Sequence, residues 1–197
     1  MFSKSLQARL VALSVAMLFT GAAQAHWVLD NEASSLTFVT VKAEHVAEVH
    51  TFDMLSGMIG DGGNVEITIE LASVNTMIPI RNERMQEMLF ETNLFPDATV
   101  TGKINLDLLE SVEPGTSYAR EIGFELSLHG ETVNMNAEVQ ITRTNDGAVF
   151  STLKPVVVMS DAFALTEGVE SLREVAGLPS ISRAVPVSFT IVFEQEH

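Results

Sequence analysis

Five histidines are the side chains of this sequence best suited to metal or acid–base chemistry: His26, His45, His50, His129 and His197. No two of them have a metal-ligand spacing such as H-E-x-x-H, and the chain has no cysteine that could add a thiolate ligand. His45 and His50 are an odd number of residues apart, so a regular strand would direct them to opposite faces. We therefore interpret the histidines as solvated or structural residues and predict no metal site.

One histidine leaves a metal hypothesis open. If residues 1–25 are removed, His26 becomes the N-terminal residue, and its amine and imidazole together could chelate copper. Spacing alone names no second ligand. A copper-dependent or other metal-dependent enzyme is therefore kept as a third hypothesis.

Motifs for covalent catalysis and phosphate binding are absent from the sequence. It contains no G-x-S-x-G nucleophile turn and no cysteine nucleophile. The run Gly60-Asp61-Gly62-Gly63 lies between two strand-like segments and fits a hairpin turn better than a phosphate cradle. We predict no catalytic residue and no enzymatic activity.

The first 25 residues have the pattern of a secretory signal. Lys4 and Arg9 precede the apolar run 10–19, and Ala23-Gln24-Ala25 forms an A-x-A cleavage site. We predict a signal peptide over 1–25, a single mature domain over 26–197, and a periplasmic location without stable membrane insertion after cleavage. An uncleaved N-terminal anchor is the alternative, although the apolar run is short for a membrane span.

The charge of the chain excludes several classes of partner. The formal net charge is −15, and it becomes −17 without residues 1–25, which hold two basic residues and no acidic one. Nucleic acid and anionic membrane surfaces would repel such a chain. Because there is no cysteine, the fold must depend on its hydrophobic core, and 46% of the residues are hydrophobic.

Alternation of apolar and polar residues dominates the mature chain and indicates strands with one buried face. About eight segments show it, at 36–41, 49–59, 65–71, 100–108, 118–128, 133–141, 149–159 and 185–193. The fold class is mainly β, with one or two short helices. Long strands of this kind can close into an antiparallel barrel that holds one small ligand, and a two-sheet sandwich is the alternative.

Two helices are expected between these strands. Pro79 can occupy a first helical turn, and residues 81–90 continue as helix formers, with Met85, Met88 and Leu89 on one face. Thr166 can cap a second helix that ends at Gly177. We expect the first helix to be a lid over a cavity and the second to pack on the barrel or cover its mouth.

The segment around the first helix contains a motif formed by Ser73, Val74, Asn75, Thr76, Arg81, Met85, Phe90, Pro96, Ala98 and Thr99. This motif resembles the signature of the YceI-like, polyisoprenoid-binding family of bacterial periplasmic proteins. The chain departs from that signature at Asn82 and Arg84, where the family usually has Asp and His, and a weaker likeness covers 124–139. The resemblance implies a lipocalin-like barrel with an isoprenoid in an elongated interior cavity.

The ligand-binding residues follow from the alternation together with this resemblance. A long-chain apolar lipid, an isoprenoid or a quinone, is the expected partner, with no other cofactor, and an oligomer is compatible with the sequence. Arg81 either meets the ligand's head group or pairs with an acidic neighbour. The alternative function is a structural or stress-related partner-binding protein with a solid barrel. The predicted ligand-binding residues are Arg81, Met85, Met88, Leu89, Phe90, Phe95, Ile67, Ile69, Ile104 and Leu106.

Overall fold

The alternating segments form β-strands in residues 27–195, the part of the chain that the structure, a computed structural model, describes. The strands are β1 (Trp27–Leu29), β2 (Ser35–Lys42), β3 (Val46–Phe52), β4 (Leu55–Ile59), β5 (Asn64–Glu70), β6 (Val74–Asn75), β7 (Asp97–Lys103), β8 (Ser117–Leu128), β9 (Glu131–Arg143), β10 (Gly147–Thr152), β11 (Val156–Met159) and β12 (Ala184–Gln195). The helices are α1 (Pro79–Arg84), continued by a π turn (Met85–Leu89), α2 (Leu106–Ser111) and α3 (Thr166–Val175).

Antiparallel pairing closes the sheet into a barrel. The ring runs β1-β4-β5-β7-β8-β9-β10-β12, and β12 pairs again with β1. The first half of β12 pairs with β2 and its last residues with β1, so β1 and β2 occupy one position of the barrel. The predicted fold, a mainly β, eight-stranded antiparallel barrel with a few short helices, is confirmed.

Some of the predicted strands are interrupted. The segment 149–159 breaks before Pro155, which has no backbone N–H to donate to a neighbouring strand. The segment 49–59 breaks at residues 53–54 into β3 and β4. Between β1 and β2, the Asp30 carboxylate accepts hydrogen bonds from the backbone N–H groups of Glu32 and Ala33, which forms a local turn. Each of the two interrupted segments therefore forms two shorter strands instead of one long strand.

The predicted strand over 100–108 is wrong at its C-terminal end. β7 stops at Lys103, and the Asn105 side-chain oxygen accepts a 2.9 Å hydrogen bond from the backbone N–H of Leu108, which caps α2. Leu106 therefore lies in a helix, and Leu109 is the buried residue of that helix. The apolar residues at 104, 106 and 108 have the spacing of a strand, but the cap decides the local structure.

The two predicted helices, α1 with its π turn and α3, form largely at the predicted positions. Pro79 is the first residue of α1, and α3 ends before Gly177, which has a left-handed backbone with φ of 62°. The predicted cap of α3 is wrong, because Thr166 is its first helical residue and no side chain caps its N-terminus. Within residues 27–195 no helix is long and apolar enough to cross a membrane. The predicted signal peptide lies outside the described residues and stays a prediction.

Candidate functional site

The barrel interior holds a cavity of about 470 Å³. Its wall is built by the inward-facing residues of the alternating strands: Ile67 of β5 and Val100 of β7, for example, are cross-strand partners and both line it. The volume lies in the range of about 300–1,000 Å³ that is usual for small-molecule pockets. The strands thus leave a mostly apolar space that their own side chains do not fill.

Seven of the ten predicted ligand-binding residues line this cavity. Three come from strands or strand ends. Four come from residues 79–90, which comprise α1, the π turn and Phe90 and are called the α1 segment from here on. The structure thus brings together residues that are up to 37 positions apart in the chain. Met85 and Phe90 are buried, with about 6% of each residue exposed. The seven residues are Ile67, Ile69, Arg81, Met85, Leu89, Phe90 and Ile104.

Three predicted residues lie outside the cavity wall, each for a local reason. The π turn places the Phe90 N–H on the Met85 carbonyl, 2.9 Å away, and this wider turn moves Met88 off the inward face. Phe95 packs against His129, with 4.5 Å between ring centroids. Leu106 belongs to α2 and packs on the hydrophobic core. A role of these three in ligand binding stays a prediction.

The α1 segment and α3 pack together to form a lid on the cavity. Met85 and Leu89 line the cavity from the first element, and Val169 and Leu172 line it from α3. Gly168 permits the contact, because a Cβ at this position would lie 2.7 Å from the Met88 carbonyl oxygen and 2.8 Å from the Leu89 Cα. The backbones of α3 and the π turn are therefore in close contact at Gly168.

Substitution of Gly168 is expected to loosen this lid. Gly168→Ala places a methyl group against backbone atoms, which cannot rotate away, so we expect a destabilisation of about 1–3 kcal/mol and faster exchange of any bound ligand. Urea unfolding and stopped-flow release of a fluorescent lipid would measure the two effects. Ser171→Ala, also in α3, is the control; an unchanged release rate in Gly168→Ala would contradict a lid at this contact.

The cavity meets solvent between the two lid elements. Ile78 and Ile80 on one side and Val175 on the other belong to the cavity wall, yet 43%, 52% and 48% of their surfaces are exposed. Residues that line the cavity and are also exposed to solvent lie at the edge of its opening. We define this edge, formed by Ile78, Ile80 and Val175, as the mouth of the cavity.

A cluster of charged side chains interrupts the apolar wall. Glu48 Oε2 lies 2.6 Å from Lys42 Nζ and 2.7 Å from Arg81 Nη1, and Arg81 Nη2 donates a 2.6 Å hydrogen bond to the Thr76 carbonyl. The Lys42 hydrogen bond, assisted by Arg81, lowers the pKa of the Glu48 carboxyl. Arg81 therefore pairs with an acidic neighbour, which is one of the two roles that the sequence left open for it, and this pairing lies in the cavity wall.

His50 lines the cavity, although the sequence did not predict it to be a ligand-binding residue. It is 3% exposed, its Nε2 lies 2.9 Å from the Thr40 hydroxyl, and its ring packs on Phe38. Burial lowers the pKa of His50, and the nearby Arg81 charge acts in the same direction, so the imidazole is neutral at neutral pH. The apolar pattern of β3 would place Val49 inside the barrel, but Val49 faces outward and His50 inward. Only the pairing register of β3 reveals this orientation.

The pKa of His50 predicts a pH-dependent stability. Since the folded pKa lies below the unfolded value of about 6.5, the unfolded chain binds more protons, and stability is lost as the pH falls from about 6.5 through the folded pKa. His50→Gln, which can keep a hydrogen bond to Thr40, should flatten this loss, as measured by urea midpoints between about pH 7.5 and 5. His45→Gln, at an exposed histidine, is the control. An unchanged slope in His50→Gln would refute the assignment.

Among the described residues, no three histidine, aspartate or glutamate side chains are grouped so that they could hold a metal ion. His26, the basis of the metal hypothesis, lies outside residues 27–195. The site consists of an apolar chamber, a helical lid and a charged cluster, and this arrangement suits binding of an amphiphilic or apolar molecule.

Comparison with known proteins agrees with this arrangement. The model of the YceI-like domain matches residues 27–193. The chain belongs to the YceI-like domain family. The chain is 35% identical to a polyisoprenoid binding domain from Saccharophagus degradans implicated in plant cell wall breakdown, with a TM-score of 0.85 over 88% of this chain and 99% of that one.

More distant structures share the fold of this YceI-like chain. Burkholderia cenocepacia BcnA is 17% identical, with a TM-score of 0.64 over 83% of this chain and 98% of that one. A Campylobacter jejuni YCEI protein is 16% identical, with a TM-score of 0.52 over 75% and 84%. Among curated proteins no sequence match is found.

The family motif of this YceI-like chain fixes the N-terminal end of the lid. Asn75 donates to the Asp53 carboxylate and accepts from the Met77 N–H, while Thr76 donates through its N–H and its hydroxyl to the Asn82 side-chain oxygen. Arg81 then connects the Thr76 carbonyl to Glu48. The polar residues of the motif thus fix the start of α1 against the barrel, and its apolar residues Met85 and Phe90 face the cavity.

Proposed function

We propose that this YceI-like protein binds an isoprenoid, of the polyisoprenoid or quinone type, or another long apolar lipid inside the barrel and transports, stores or sequesters it. The observation that carries the proposal is the cavity of about 470 Å³ with its largely apolar wall. A solid barrel, as the alternative partner-binding function requires, would have its inward side chains packed at close to crystal density. The 35% identical Saccharophagus degradans domain, a polyisoprenoid binding domain, supports the same assignment.

The proposal also includes a cellular location for the protein. A signal peptide over 1–25 would direct it to the periplasm, with His26 as the mature N-terminus and without stable membrane insertion. Intact-mass measurement on protein from the periplasmic fraction of the native host tests this. A mass equal to that of the full precursor would indicate an anchored protein instead.

Lipid extraction tests the binding function. Protein purified from its native host should release a long-chain lipid that mass spectrometry identifies, and delipidated protein should take up a polyprenol or a quinone. Absence of a co-purifying lipid together with absence of uptake would favour the partner-binding alternative. Metal analysis of the same correctly processed sample tests the remaining hypothesis, a metal-dependent enzyme, since stoichiometric copper would support it.

A further inference from the structure

Positive charge is concentrated in the cavity wall of an otherwise acidic chain. Within residues 27–195 the wall includes the cationic side chains of Lys42, Arg81, Arg84 and Lys103 but a single carboxylate, that of Glu48. The whole chain has 26 acidic and 11 basic residues. A wall assembled without regard to charge would contain mostly carboxylates, so the cations mark the part of the protein where a negative charge is most favourable.

The charges next to the lid do not balance. Glu48 is shared between Lys42 and Arg81, which leaves one positive charge over in this group. Arg84 follows Arg81 by three residues in α1, so the two guanidinium groups extend from the same helix face. Unlike Arg81, Arg84 has no carboxylate within 4 Å among the described residues. Like charges that are neighbours on a helix destabilise it, and an anion bound between them would relieve this repulsion.

An unused hydrogen-bond donor on Arg81 also favours an acceptor at this place in the wall. Arg81 Nε has no hydrogen-bond partner within residues 27–195, and an arginine nitrogen can only donate. Anionic oxygens accept several hydrogen bonds at once, and such charge-assisted bonds are the strong ones.

From this balance we infer that the lipid carried by the barrel has an anionic head group, and that Arg84 together with Lys42 binds that head group beside the lid. The tail occupies the apolar chamber and the head lies against the cationic part of the wall. The inference rests on the proposed lipid-binding function and adds the chemical class of the head group, a phosphate or a carboxylate. Arg81 has a different role, since it ties α1 to Glu48 and Thr76.

Two probes that share a tail and differ in head group test this inference. Geranylgeranyl phosphate should bind the delipidated mature protein about tenfold or more tightly than geranylgeraniol, as expected when a charged group gains hydrogen bonds of about 1.4 kcal/mol or more in total. Added salt should weaken binding of the phosphate and leave the alcohol unchanged. Isothermal titration calorimetry with each lipid measures the difference.

Charge-removing and charge-keeping variants separate recognition from structure. Arg84→Gln should weaken geranylgeranyl phosphate about tenfold and change geranylgeraniol less than about twofold, while Arg84→Lys should retain most of the affinity. Arg120→Gln, which removes an exposed arginine outside the cavity wall, is the matched control and should change neither lipid. Thermal unfolding of each variant confirms that it is folded.

Four results would overturn the inference. Equal binding of both lipids, or an equal loss of both in Arg84→Gln, would show that the head group is not recognised as an anion, while lipid binding itself would stand. Displacement of geranylgeranyl phosphate by an equal concentration of inorganic phosphate would show a site for a free anion. Failure of the wild-type protein to bind either lipid would remove the proposed function as well, and this outcome is seen before any variant is made.

Discussion

Ile67→Trp is expected to abolish lipid uptake while leaving the barrel folded. Ile67 lies in the cavity wall on β5, opposite Val100 on β7, and only part of its surface is covered by neighbours. An indole at this position enters the empty chamber and occupies the space of the lipid tail. We expect uptake to fall at least tenfold, with a stability change smaller than the roughly 1–3 kcal/mol that overpacking of a filled core costs.

The matched control is the neighbouring position on the outer face. The side chain of Glu66 points to the opposite face of the sheet and is exposed. Glu66→Trp therefore adds the same side chain outside the barrel. Its uptake should equal that of the wild type. Circular dichroism in urea and uptake of a tritiated polyprenol measure both quantities. A large loss of lipid-free stability with unchanged uptake in Ile67→Trp would mean that the barrel is solid, and the lipid-binding proposal would fall.

Trp27→Ala is expected to give the largest loss of stability. Trp27 is fully buried, pairs with Ile59 of β4 and Gln195 of β12, and so lies where the ring of strands closes. The Arg143 guanidinium also lies 4.9 Å from its ring centroid. Removal of the indole leaves a cavity and breaks this cation–π contact, and we expect the free energy of unfolding to fall by about 3–5 kcal/mol.

The measurement and its control follow from the position of Trp27. It is the only tryptophan of the chain, so unfolding has to be followed by far-ultraviolet circular dichroism rather than by fluorescence. Trp27→Phe keeps most of the buried volume and should cost clearly less. Because Trp27 lies outside the cavity wall, lipid uptake should persist wherever the variant is folded. A loss below about 1 kcal/mol for Trp27→Ala would show that this end of the barrel repacks freely.

Much of the barrel was predictable because a strand has a fixed side-chain period. Ile67 and Ile69 on β5, and Val100 on β7, face the interior as their alternation indicates. Pro79 and Gly177 likewise mark a helix start and a helix end, because each restricts or permits one backbone conformation irrespective of the rest of the chain. The family motif added the expectation of a cavity, and the structure contains one.

β3 shows where the sequence pattern fails. Glu48 and His50 face the barrel interior, while Val49 between them has 66% of its surface exposed, the reverse of the usual arrangement. Glu48 is tolerated inside because Lys42 and Arg81 contact it, and Arg81 comes from a helix 33 residues further along the chain. No local pattern contains that compensation.

Competition between local signals decided two further positions. At residues 104–108 the apolar spacing indicated a strand, but the Asn105 cap formed a helix instead. In the lid, a π turn rather than an α-helical turn moved Met88 away from the cavity and brought Phe90 to it. The sequence by itself therefore determined the strands, the helix limits and the inward residues of the regular strands, because these depend on neighbours in the chain. Only the tertiary structure decided the closure by β12, the partly buried charges and the open chamber, because these depend on contacts between residues far apart in the sequence.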